Sequence, residues 1–125
     1  NNRDVNRYRW NQKLILNHLK NSKSKQSIFY KSLTNLLSIR TKQKAFHPNA
    51  SRTTLNMGSK IFCFQRKSID KKQSIICLTN LSSKPQYLPL NKKFRNWKNL
   101  INQKLYILPN KRLKLEPFQT VWLSN

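Results

Sequence analysis

The chain has 125 residues and sets 26 Lys and Arg against only three acids, Asp4, Asp70 and Glu116, for a formal net charge of +23. That length allows one small core and excludes a catalytic barrel with anything added to it. The charge points to a polyanionic partner that would offset self-repulsion, and the absence of any apolar run near about 18 residues excludes a membrane-spanning helix.

Basic residues run from Arg3 to Lys114, so the cationic surface is expected to surround the protein, as in a chain embedded in nucleic acid. The opening Asn1-Asn2-Arg3 carries no Met, the single one being Met57, and is read as a processed or cropped start; a cleaved organelle-targeting segment would fit it.

Residues 12–20 read as a short helix, and Asn21-Ser22-Lys23-Ser24 as the break that ends it. From Ser27 to Arg40, Ile28, Phe29, Leu33, Leu36, Leu37 and Ile39 share one side of a second helix, with Lys31, Thr34, Asn35 and Ser38 opposite. The apolar half is expected to be covered. After Pro48 the period changes to alternation, and Gly58, Pro85, Pro89, Pro109 and Pro117 punctuate short apolar stretches. Candidate strands are 52–57, 60–67, 73–80, 85–90, 104–108, 112–115 and 118–123, with one helical turn expected over Trp97–Ile101. The expected fold is mainly β: an antiparallel β-sandwich over 50–125, preceded by a basic segment with two helices over 1–49, an α+β arrangement.

A hairpin centred on Asp70 would pair Phe62 with Leu78, Phe64 with Ile76 and Cys63 with Cys77. One face then carries Phe62, Phe64, Ile76 and Leu78, and the other Ile61, Cys63, Ile75 and Cys77. Both faces are apolar, so the hairpin belongs mid-fold, with a second sheet on one side and the amphipathic helix as a candidate for the other.

Several stretches together carry a family resemblance. They are Arg3–Tyr8, Leu36–Arg40, Ala45–Ala50, Ile61–Arg66, Ile76–Asn80 and the closing Pro117–Leu123. In this order they resemble the C-terminal end of the sucrose phosphorylase group of the α-amylase superfamily. The resemblance implies that residues 1–44 correspond to the end of a (β/α)-barrel with its last helix, and 50–125 to the antiparallel β-sandwich that follows. Enzymes of that superfamily work with a carboxylate nucleophile and a carboxylic general acid on barrel strands. Those strands are absent here, and the three acids lie far apart in sequence. Where acids are expected in such relatives, this chain has Gln12, Lys13, Asn17, Lys20, Asn21 and Lys23.

The cations placed to meet phosphates are Arg3, Arg7, Arg9, Lys13, Lys20, Lys23, Lys25, Lys92, Lys93, Arg95, Lys111 and Arg112, clustered at termini, breaks and expected loops. Each could equally be solvated surface charge. Tyr8 and Trp10 alternate with Arg7 and Arg9; base stacking is one use for them, but anchoring the N-terminal segment is favoured. Trp97 and Trp122 are read as core. His18 and His47 lack partners at metal-ligand spacing, and the single glycine provides no phosphate-cradling loop, so no metal or cofactor is expected. For Cys63 and Cys77 a cross-strand disulfide is conceivable, but two buried thiols are favoured.

These features lead to an expected function: a non-catalytic structural protein of a ribosome, derived from a carbohydrate-active enzyme and resident in the mitochondrial matrix. Its partners would be ribosomal RNA and neighbouring ribosomal proteins, the latter through Phe29, Leu33, Leu36 and Leu37. The alternative is the C-terminal domain of a sucrose-phosphorylase-like hydrolase or phosphorylase whose catalytic barrel lies outside this chain. A third reading is a general DNA- or anionic-membrane-binding module.

Overall fold

Helix α1 (Gln12–Lys20) begins where Asn11, in extended conformation, accepts at Oδ1 from the backbone N–H groups of Lys13 (2.9 Å) and Leu14 (3.4 Å). This structure, a computed structural model, describes residues 9–89, 96–103 and 112–125. At the other end of α1, His18 and Lys20 place basic side chains against the negative end of the helix dipole, and the N–H of Asn21 closes on the carbonyl of Asn17. Asn21 Oδ1 accepts from the N–H of Lys23 at 3.1 Å, which bends the chain out of the helix.

Ser24 then starts α2 (Lys25–Thr41) by accepting at Oγ from the N–H of Ser27 at 3.0 Å. The same hydroxyl donates to the carbonyl of His18, and Ser27 Oγ donates to that of Leu19 at 3.1 Å. Two serine hydroxyls therefore fasten the two helices at their junction. Ser27 is the one buried residue of α2. Ile28, Phe29, Leu33 and Leu37 are exposed, so the apolar half that periodicity marks for covering is open along most of its length.

The chain divides into two units, Asn1–Ser38 and Ile39–Asn125. In the second, a 3-10 turn (Lys44–Phe46) leads into seven strands among the described residues: β1 Ser51–Thr54, β2 Ile61–Lys67, β3 Ser74–Asn80, β4 Gln86–Pro89, β5 Lys98–Asn99, β6 Arg112–Leu115 and β7 Thr120–Ser124. A five-stranded sheet has the order β1-β2-β3-β7-β5, and β4 pairs with β6 in a second sheet of two strands. Every pairing is antiparallel. This is the α+β arrangement expected from the change of period at Pro48.

The main core lies between the sheets. Ile61, Cys63, Ile76, Leu78, Val121 and Leu123 from the large sheet meet Leu88, Leu113 and Leu115 from the small one, with Leu55, Met57 and Trp97 at the margin. On the opposite face, Ala45 and Phe46 of the 3-10 turn cover Ile75 and Cys77, and Phe64, Leu100 and Trp122 join them. Phe46 meets Trp122 edge-on with ring centroids 5.0 Å apart. Strand β3 is central and buried on both sides, which is why Ile75-Ile76-Cys77-Leu78 is a continuous apolar run.

The β2–β3 hairpin is shifted by one residue from the expected register. Cys63 faces Leu78, Phe64 faces Cys77 and Phe62 faces Thr79. The turn explains the shift. Ser68 N–H donates to the carbonyl of Gln73 at 2.9 Å, so the hairpin closes around an even loop, Ile69–Lys72, and its centre falls after Asp70 rather than on it. Lys71 takes a left-handed φ of 57° within that loop. Asp70 Oδ1 caps it by accepting from Ser68 Oγ (2.6 Å) and the N–H of Lys72 (3.1 Å).

A slip of one residue moves one strand's whole side-chain set to the other face. Phe62 and Phe64 therefore do not share a face with Ile76 and Leu78, and Phe62 is 44% exposed. Cys63 and Cys77 lie on opposite faces as buried free thiols, so the conceivable cross-strand disulfide is ruled out by register.

The helical turn expected over Trp97–Ile101 is replaced by a short strand. Lys98 and Asn99 pair with Ser124 and Leu123, and Asn99 Oδ1 accepts from the N–H groups of Ile101 (3.1 Å) and Trp122 (3.3 Å). Asn99 is buried, and its side-chain oxygen holds the turn that follows. The candidate strand 104–108 lies outside the described residues.

Candidate functional surface

Two acids fall within the described residues, and each is held in an ion pair. Asp70 Oδ2 lies 3.3 Å from Lys44 Nζ, and Glu116 Oε1 lies 2.6 Å from Lys114 Nζ. The Ser68 hydroxyl, then the N–H of Lys72 and the Lys44 ammonium, hold the Asp70 carboxyl down at about 2. A carboxylate so stabilised is a poor proton donor or acceptor near neutrality. Asp70 sits in the β2–β3 turn and Glu116 before β7, whose first residue pairs with Thr79 at the far end of β3. They occupy opposite ends of the sheet and cannot flank one scissile bond. Asp4 lies outside the described residues.

A depression of about 300 Å³ is lined by Lys44, His47, Ser68, Ile69 and Asp70. Its polar groups are engaged: Lys44 and Ser68 with Asp70, and His47 Nδ1 accepting from the N–H of neighbouring Asn49 at 3.2 Å. A second depression, of about 260 Å³, lies among Trp10, Ile15, His18, Leu19 and Gln26 of the helical unit. Among the described residues no group of three His, Cys, Asp or Glu side chains converges as metal ligands would. Burial pushes the Cys63 thiol up to about 11 and the Cys77 thiol to about 12, so both are protonated and unreactive near neutrality.

Of the cations singled out from sequence, Arg9 precedes α1, Lys13 and Lys20 stand on it, Lys23 is in the junction and Lys25 opens α2, all exposed. Arg112 is exposed at the first position of β6, in the other unit. Arg3, Arg7, Lys92, Lys93, Arg95 and Lys111 lie outside the described residues, as does Tyr8. Trp10 is 70% exposed.

The polar residues that organise the β-unit were absent from that selection. Arg66, on β2, donates from Nε to the carbonyl of Ala45 (2.9 Å) and from one terminal nitrogen to those of His47 (2.6 Å) and Ala50 (3.3 Å). One guanidinium thus straps the segment before β1 to the sheet. Gln73 Oε1 accepts from the N–H of Ala45 at 2.9 Å, while its Nε2 donates to Gln43 Oε1 at 2.7 Å. Asn80, fully buried, donates to the carbonyls of Lys84 (2.8 Å) and Glu116 (3.0 Å) and accepts from Ser82 N–H (3.0 Å) and Oγ (2.8 Å). Arg66 and Asn80 close the two strand motifs on which the family resemblance rests, and that was the available signal.

Antiparallel β-units of this build occur in enzymes that transform sugars. AmyP, in complex with maltotriose, matches with a TM-score of 0.70 at 16% identity over 83% of this chain and 22% of that one. The trehalulose synthase MutB of Pseudomonas mesoacidophila matches at 0.64 and 19% identity, over 87% of this chain and 19% of its own. XgtA, an α-glucosyl transfer enzyme, matches at 0.63 and 16% identity, over 85% and 18%. No protein-family profile matches the sequence.

In sequence, the chain is 28% identical over 81 residues to the glucosylglycerate phosphorylase of Spirochaeta thermophila, a stretch that is 65% of this chain. It spans 14% of the length of that curated relative. The chain is related to that phosphorylase and has the fold of a part of α-amylase-superfamily enzymes.

These similarities correct the functional expectation. The proteins that the chain resembles in sequence and in fold are sugar-processing enzymes, not ribosomal or RNA-binding proteins. The ribosomal assignment, with its rRNA and ribosomal-protein partners and its mitochondrial ribosome, is therefore withdrawn, and so is the reading as a non-enzyme. Net charge misled because it reports what a surface would tolerate as a neighbour, not which neighbour it has. Among the described residues no helix is long and apolar enough to cross a membrane.

Proposed function

We propose that this chain is part of a sucrose-phosphorylase-like glycoside hydrolase or phosphorylase, acting on α-glucosides, whose catalytic barrel is supplied by sequence outside it. The observation that carries this reading is the 81-residue match to a glucosylglycerate phosphorylase, which the likeness of fold supports. In this division of labour the barrel provides the carboxylate pair that protonates the leaving group and attacks the sugar. The residues described here brace it. Arg66 and Gln73 fix the segment Gln43–Ala50 to the β-unit, and Asn80 locks the turns at the other end of β3.

The test is a chimaera in which the matching stretch of the Spirochaeta enzyme is replaced by this chain's own. We expect a folded protein that still cleaves glucosylglycerate with phosphate. A chimaera as inactive as the enzyme with that stretch deleted would overturn the proposal.

A further inference from the structure

We draw no further inference here: the strongest candidate, the exposed apolar surface of the helical unit around Trp10, Leu14, Ile28, Phe29 and Leu33, carries nothing because nothing in the structure shows what covers it.

Discussion

Asn80→Ala should be among the most damaging single changes in the β-unit, although it removes no apolar surface. The side chain makes four hydrogen bonds of 3.0 Å or less, two donated and two accepted, and a weaker one to the carbonyl of Leu115 at 3.4 Å. Each satisfied bond contributes about 1 kcal/mol net, and a partner left buried without one costs about 1–3 kcal/mol. Lys84 and Glu116 are exposed residues whose carbonyls regain water in part, whereas Ser82 is half-buried.

The sum is a loss of about 3 kcal/mol, a large share of the roughly 5–15 kcal/mol of a small domain. With an m-value of about 1.5 kcal/mol/M, the urea midpoint falls by about 2 M. Urea titration followed by Trp97 and Trp122 fluorescence and by far-UV circular dichroism measures it. Phe62→Ala is the comparison. That ring is 44% exposed and meets the Phe64 ring with centroids 5.4 Å apart, so its removal should cost only about 1 kcal/mol, well below the roughly 3–5 kcal/mol of a buried Phe. An Asn80→Ala midpoint within about 0.3 M of the wild type, or a Phe62→Ala variant that is the less stable of the two, would refute the reasoning.

Arg66→Lys should behave nearly as badly as Arg66→Ala in thermal unfolding, each losing about 2 kcal/mol, because an ammonium cannot reach three carbonyls in a fork; full rescue by Lys would contradict this. Asp70 titrates at about 2 in the folded chain against an ordinary 3.8, so its contribution is complete above 3.8 and is lost as pH falls through about 2. The stability difference between wild type and Asp70→Asn, followed by urea midpoints across that window, should shrink toward zero at the acid end; a difference that grows on acidification would reverse the assignment. Cys63 and Cys77 should resist a thiol reagent at pH 8 until urea unfolds the chain, and mild oxidation should form no intramolecular disulfide; rapid labelling of both in native protein, seen by mass spectrometry, would show that they are not buried on opposite faces.

Much of the architecture was legible in the residues because it is local. The limits of α1, the break at Asn21–Ser24 and the strand at 112–115 follow from side-chain oxygens next to backbone donors and from alternation, which need no distant partner. The likeness to sugar-processing enzymes was legible too, in ordered motifs such as Ile61–Arg66 and Ile76–Asn80. What only the tertiary structure decided is everything that depends on a count across a turn or on a neighbour far along the chain. An even loop rather than an odd one moved Phe62 out of the core and parted Cys63 from Cys77. The pairing of Lys98-Asn99 with β7 replaced the helical turn expected there. Arg66 and Asn80 were visible only as the ends of two motifs and Gln73 not at all, because their importance arises from carbonyls and amides up to 36 residues away that only folding brings within reach.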